Sequence, residues 1–350
     1  MMNAVSPPVR PETPTVPTKR RPRVAFAGWP QILALAVVLL ADRLVSPGFF
    51  HVHMVDGRLF GSIIDVLNRG APVALLSLGM TLVIATRGID LSVGAVMAIS
   101  GAVAATLVNS GTSLPLVLAA SIGAGLLCGL WNGILVALLR IQPIVATLIL
   151  MVAGRGIAQL ITGGQVVTFD SRSLGAIGTG AVFGIPVPVL LVAGMAGLTL
   201  ALTRLTALGL FIEAVGANER SSAYAGIGAR GVQISVYVWS GLCAALAGLV
   251  VAADIHGADA NNAGLWLELD AILAVVVGGT SLFGGRFRLV LSLIGAAIIQ
   301  ALNTGILLSG IRPEYNLIVK ALVVLAVLLL QSPVTRNALP VLRSGFRKNS

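Results

Sequence analysis

Residues Leu114–Leu138 read LPLVLAASIGAGLLCGLWNGILVAL, twenty-five positions without one charged side chain. A bilayer-spanning helix needs about 20 mostly apolar residues, so this run is long enough to cross. Working outward, nine more apolar runs follow the same pattern: Trp29–Val45, Ser62–Ala85, Ile89–Val108, Pro143–Ile161, Val187–Thr203, Val232–Ala253, Leu265–Phe283, Leu289–Leu308 and Asn316–Leu330. The composition agrees. The chain of 350 residues is 57% hydrophobic and 10% charged, with mean hydropathy +0.97, whereas soluble domains carry roughly 25% charged residues. An ordinary soluble enzyme, a disordered chain and a fibrous protein are all excluded. The expected fold is all-α: a polytopic membrane protein of about ten transmembrane helices. The run Leu265–Phe283 is the weakest span. It is short and opens on Glu268 and Asp270, so a broken or re-entrant segment is the alternative.

Charge placement orients the bundle. Arg10, Lys19, Arg20, Arg21 and Arg23 precede the first span, and Arg336, Arg343, Arg347 and Lys348 follow the last. With ten spans and both ends inside, sixteen of the 23 basic residues fall on the inner side. Only Arg58, Arg172 and Arg312 fall outside, as expected for cytoplasmic termini. The formal charge of +10 is therefore read as a membrane-flank pattern rather than a nucleic-acid surface. Three regions are expected: a cytoplasmic tail without fixed structure over 1–28, a membrane domain over 29–332 with one long internal loop at 204–231, and a cytoplasmic tail over 333–350. The Pro-, Thr- and Arg-rich start lacks the apolar core of a secretory signal. Cys128 and Cys243 lie inside apolar runs and read as buried thiols. No metal framework is present in the sequence.

Several intramembrane residues carry alternative readings. Gly125, Gly129 and Gly133 share one face of the fourth span and favour close helix packing. Asn132 beside them is either a polar tie between helices or part of a path for a hydroxylated solute. Asp90 opens the third span, where a carboxylate caps a helix start or contacts solute. Glu268 and Asp270 stand two residues apart and do not share a helical face, so they do not form a hydrolytic pair. One is expected at a cap and the other toward an external vestibule or docked partner. Trp131–Leu135 resembles Asn303–Leu307 five spans later, and a proline follows each, Pro143 and Pro313. A genuine repeat at an odd offset would be inverted; chance among Gly- and Leu-rich helices is the alternative. Asn303 joins the pathway candidates on this ground. Arg155 and Lys320 pair with buried partners or snorkel. Asp254, His256, Asp259, Asn261 and Asn262 form a polar external loop.

No P-loop exists: Lys19, Lys320 and Lys348 follow Thr18, Val319 and Arg347, never glycine. If ATP drives this protein, another chain binds it. The long internal loop contains a short helix at Glu219–Ala225, bounded by Gly216 and Gly226.

Its pattern Glu213-Ala214-Val215-Gly216, then Asn218, then Ala225-Gly226-Ile227, resembles the coupling loop of ABC-importer permeases of the ribose, xylose and arabinose sugar class. Gly79–Ile84, Gly88–Gly94, Ala146–Leu148, Glu268–Ile272 and Gly278–Gly285 are similar to the same class. The likeness runs from about Leu67 to Leu330. Asp56–Ser62 and Ile255–Asp270 are similar to its galactofuranose branch. Arg87 departs from the class, which usually has a small residue there. The resemblance implies a permease subunit in a bacterial plasma (inner) membrane. A cytoplasmic ABC ATPase holding ATP and magnesium would act on Glu213, Ala214, Gly216, Asn218 and Gly226. A second permease, paralogous or identical, and a periplasmic or extracellular sugar-binding protein would complete it, with no cofactor on this chain. From another class, an ion-coupled secondary transporter of a small polar solute needs intramembrane ion sites; here the acids cluster at span ends. A membrane-embedded enzyme needs a converging nucleophile, base or metal, and the sequence offers none.

Overall fold

The computed structural model describes residues 28–55, 57–310, 312 and 315–331. The expected tails, Asp56 and Pro313 lie outside the described residues. Fourteen helices follow in order among the described ones. They are α1 Trp29–Val45, α2 Ser62–Arg69, α3 Ala71–Ala85, α4 Val93–Asn109, α5 Leu114–Ala137, α6 Pro143–Thr162 and α7 Arg172–Thr179. After these come α8 Val187–Leu205, α9 Leu208–Ala217, α10 Glu219–Tyr224, α11 Ala229–Asp254, α12 Leu267–Val277, α13 Leu289–Leu308 and α14 Asn316–Gln331. Three two-stranded antiparallel ribbons join the connections. They pair β1 His53–Val55 with β2 Arg58–Phe60, β3 Val167–Thr168 with β6 Gly257–Ala258, and β4 Ala181–Val182 with β5 Ile185–Pro186.

Proline sets many of the starts. α1, α3, α5, α6 and α8 each carry one in the first two positions, where the missing N–H costs nothing and the fixed φ suits a helix. Five helices, α5, α6, α8, α11 and α13, are long and apolar enough to cross a membrane alone. The pair α2 and α3, bent by 43°, counts as a sixth if taken as one span. The expected ten crossings are thus not all continuous long helices, and the differences have local causes. Ile89–Ser92 is not helical, and α4 begins only at Val93. The eighth run forms a helix for eleven residues and stops at Val277. Gly279, Gly284 and Gly285 then take φ of +83°, +78° and +90°, a region that breaks a helix and that glycine enters without penalty. The internal loop is more ordered than expected: α8 runs to Leu205, and a separate helix α9 precedes α10, so Gly216 lies inside a helix rather than bounding one.

The bundle is built around α11, which packs on α3, α4, α5 and α7. Helix α3 is apolar on every side and buried at every position except Ala74, as a central helix must be. Its Leu75, Leu76 and Met80 meet Val236, Tyr237 and Ala244 of α11 in one core. A second core joins α1, α12 and α13 through Val38, Ala274, Val277, Ile298 and Ile299. The three glycines of α5 face α11. A Cβ at Gly125 would stand 2.6 Å from the Gly241 carbonyl oxygen, at Gly129 2.9 Å from the Val238 Cα, and at Gly133 2.9 Å from the Ile234 Cα. Backbones therefore touch, which lets dispersion contacts accumulate without a hydrophobic driving force in lipid. Cys243 is buried and Cys128 half-buried, both unpaired.

Candidate coupling junction and buried polar hub

Three segments meet where α9 ends. Gly216 lies against the last turn of α3 and the loop after α12. A Cβ there would strike the Ala85 carbonyl oxygen and stand 2.6 Å from the Gly285 nitrogen. That nitrogen already donates to the same Ala85 oxygen at 2.9 Å. Arg87, the departure noted in the sequence, has φ +64° and donates from Nη2 to the Ala217 carbonyl at 2.5 Å. Its guanidinium thus ties the end of α3 to the end of α9. Asn218 then caps α10, its side-chain oxygen accepting the Ser221 amide at 3.0 Å. Gly226 closes α10 at φ +82°, with Gly226 N donating to Ala223 O and Ile227 N to Ser222 O, the paired bonds of a left-handed helix stop. Glu213 and Ala214 are half-buried on α9, while Asn218 and Gly226 are exposed. Leu210, Tyr224 and Phe283 present apolar surface around this end, at 68%, 93% and 86% exposure.

Asp90 is not a cap of the usual kind. The residue at the start of α4 is Ser92, whose side chain caps nothing. Asp90, buried in the turn before it, accepts at Oδ1 from the Ser92 amide (3.1 Å) and hydroxyl (2.6 Å), and at Oδ2 from the Ser240 hydroxyl of α11 (2.8 Å). Asn132 of α5 donates to the Ser92 hydroxyl at 2.8 Å and stands 3.5 Å from Asp90 Oδ1. The Thr147 hydroxyl of α6, 2.9 Å from the Pro143 carbonyl of its own helix, also stands 3.2 Å from the Ile89 carbonyl. One short turn is thus held by α5, α6 and α11 together. Ser92 and Ser240 escaped the sequence reading; a serine two residues after an aspartate was the available signal for the first, and nothing in the sequence pointed to the second. Asp90→Ala strands the Ser240 and Ser92 hydroxyls in a dry interior. A loss of about 2–3 kcal/mol is expected, since each unmatched buried polar group costs about 1–3 kcal/mol. It should appear as a lower unfolding temperature of the detergent-solubilised chain, with Asp90→Asn milder because its amide oxygen still accepts.

The two acids of α12 go separate ways. Asp270 accepts from Lys320 Nζ of α14 at 2.8 and 3.0 Å, a buried ion pair. Glu268, also buried, turns toward α4, where a Cβ at Gly94 would lie 2.6 Å from its Oε2. Asn303 is half-buried on α13, and its Oδ1 finds no partner among the described residues; it does not join Asp90 and Asn132. The loop between α11 and α12 is pinned from α6: Arg155 Nη1 donates to the Ala260 and Ala263 carbonyls at 3.0 and 2.6 Å, and Gln159 Nε2 to Asn261 Oδ1 at 2.7 Å. Within it Asp259 accepts from the Asn262 side chain and from the amides of Asn261 and Asn262, bonds that hold its carboxyl below the usual range, the Asn262 side chain first. His256 takes φ +52° and lies beside Phe169. Among the described residues no three His, Cys, Asp or Glu side chains gather as a metal site.

A bundle of apolar helices, an interior polar hub and a protruding helical junction define a polytopic membrane transport subunit. The family model described as "Branched-chain amino acid transport system / permease component" matches residues 62–328, and the chain belongs to that family. It is 64% identical to the galactofuranose transporter permease protein YtfT of Escherichia coli, over 91% of this chain and 93% of that one. It is 40% identical to the fructose import permease protein FruF of Bifidobacterium longum over 80% of each chain. It is 37% identical to the ribose import permease protein RbsC of Escherichia coli, over 86% and 92%. No solved structure matches the chain. The chain is a multi-pass inner-membrane permease component.

Proposed function

We propose that the chain forms the translocation pathway of a binding-protein-dependent ABC sugar importer, with galactofuranose as the transported sugar. The family description speaks of amino acids, but the relatives named above carry sugars, and 64% identity over nine-tenths of both chains favours the first of them. The chain crosses the bilayer ten times with both termini in the cytoplasm, the reading that the inner bias of arginine and lysine supports. A separate ATPase supplies ATP and magnesium and covers α9, α10 and the exposed Tyr224 and Phe283. A second permease, paralogous or identical, completes the conduit, and a periplasmic or extracellular sugar-binding protein docks on the loop that Arg155 holds.

The observation that carries this reading is the contact at Gly216. Force on α9 and α10 passes directly to the Ala85 end of α3 and the Gly285 loop after α12. From α3 it reaches the turn that Asp90 fastens to α5 and α11. A push outside the membrane thereby biases two arrangements of packed helices, which is what alternating access requires.

Affinity capture of the full chain from its native membrane, followed by uptake in inverted and right-side-out vesicles, tests it. Recovery of a P-loop ATPase, with ATP-dependent uptake of labelled galactofuranose exceeding that of ribose, supports the importer. A clean chain without an ATPase, and uptake that collapses with a proton uncoupler at constant ATP, would establish an ion-coupled transporter instead.

A further inference from the structure

The turn after α3, the α5–α6 connection, α10 and the start of α11 enclose a cavity of about 750 Å³. Arg87, Arg140, Arg220 and Arg230 line it, against the single carboxylate of Glu219. Arg87 is engaged with the Ala217 carbonyl. Arg140, Arg220 and Arg230 have no hydrogen-bond or ion-pair partner among the described residues. Like charges are not gathered without cost, and three unpaired guanidiniums around one space repel each other until an anion enters.

Two further groups converge on the same space. The first turn of α6 at Pro143 and that of α11 at Ala229 belong to its wall, and neither helix has a side-chain cap. These helices are 20 and 26 residues long, so their positive ends add to the field. Tyr237 also lines the cavity. It is 1% exposed, and its hydroxyl finds no partner among the described residues. That hydroxyl sits at Gly88, 2.5 Å from where a Cβ of that residue would be, on the cavity wall. A buried hydroxyl without a partner costs about 1–3 kcal/mol, and a ligand oxygen within the cavity would satisfy it.

We infer that this cavity binds a phosphate-bearing anion. Guanidiniums match phosphate oxygens with paired donors, and a phosphate offers enough terminal oxygens to engage arginines and the Tyr237 hydroxyl together. The volume falls within the roughly 300–1,000 Å³ of small-molecule sites and admits either a phospholipid headgroup or a soluble phosphate. The site owes nothing to the sugar assignment; it rests on the transport reading only for the side of the membrane it faces.

The full chain in nanodiscs of phosphatidylcholine should bind labelled inorganic phosphate saturably, more weakly as salt rises. Arg140→Gln with Arg230→Gln should weaken it by about tenfold or more, the equivalent of one charged hydrogen bond of about 1.5 kcal/mol. Both arginines are exposed, so packing survives, which helix content and gel-filtration profile check. Tyr237→Phe should weaken it by a smaller factor at unchanged volume. Nanodiscs doped with phosphatidylglycerol then identify the source. Competition by that lipid, with its enrichment around the parent chain over the double variant, assigns a headgroup site. Phosphate binding indifferent to the lipid assigns a soluble ligand. The inference is overturned if the parent chain neither binds phosphate nor enriches phosphatidylglycerol, or if the double variant does so equally well. Loss of transport with phosphate binding intact would count against the importer reading alone.

Discussion

Gly216→Trp is expected to reduce uptake about 10- to 100-fold, the range spanned by coupling free energies of roughly 1–3 kcal/mol, while the chain still inserts and the ATPase assigned to it under the proposed function still hydrolyses ATP. The reason is steric and local. Even a methyl group at this position meets the Ala85 carbonyl oxygen and the Gly285 nitrogen, two atoms already bonded to each other. Overfilling by a methylene or two costs about 1–3 kcal/mol, and an indole is far larger. α9 must therefore lift away from α3 and from the loop after α12. Ile212 and Val215 of α9 belong to the same core as Leu75, Met80 and Tyr237, so a lower unfolding temperature in detergent is expected alongside the loss of uptake, while the apolar spans still insert. Glu213→Lys should act in the same direction from the half-buried side of α9. Membrane-vesicle uptake beside ATPase rate in one preparation measures both; equal uptake in parent and Gly216→Trp would remove α9 from any role in coupling.

The second large effect is expected at the Asp270–Lys320 pair. Lys320→Met should destabilise the chain by about 3–5 kcal/mol, because removing one partner of a buried pair leaves an uncompensated charge. The double change Asp270→Leu and Lys320→Met should restore most of that loss, since apolar groups of similar volume replace such pairs at little net cost. The pair joins α12 to α14, and α14 otherwise meets only α1 and α13 among its substantial neighbours. Unfolding temperatures of the four proteins, read as a double-mutant cycle, check the argument. Single variants that melt with the parent would show that α14 is held by packing alone.

The sequence is most legible where lipid dictates the answer. The helix bounds expected at Trp29–Val45 and Leu289–Leu308 match α1 and α13 residue for residue, and α13 is also long and apolar enough to cross alone, because a largely apolar run in hydrocarbon must satisfy its backbone within itself. Legibility fails where protein, not lipid, surrounds the backbone. The break at Gly70, marked in the sequence only by Gly70 and Pro72, and the non-helical Ile89–Ser92 sit inside the bundle, where an apolar run continues past them and hides the interruption. The internal loop hid α9 because its Leu, Phe, Ile and Val resemble a tail of the preceding span. Among site residues, Asp90 and Asn132 stood out as rare polar groups in apolar runs. Ser240, which donates to Asp90, did not, since one serine in a membrane helix is unremarkable until a carboxylate is placed beside it. Lys320 and Asp270 could each be seen as needing a partner, yet a separation of fifty positions concealed that each was the other's.

Arg155 fixes the loop between α11 and α12 through main-chain oxygens, those of Ala260 and Ala263, and not through side chains. Shape and wording are thereby separated. Leu265 is exposed on a curve held by those main-chain oxygens and by the Gln159–Asn261 bond, not by its own side chain. Substitutions at such an exposed position change the surface of the loop while the curve itself persists. Under the proposed docking of a sugar-binding protein on this loop, a change of that protein could be met by altering its exposed side chains alone, with the helices beneath left as they are.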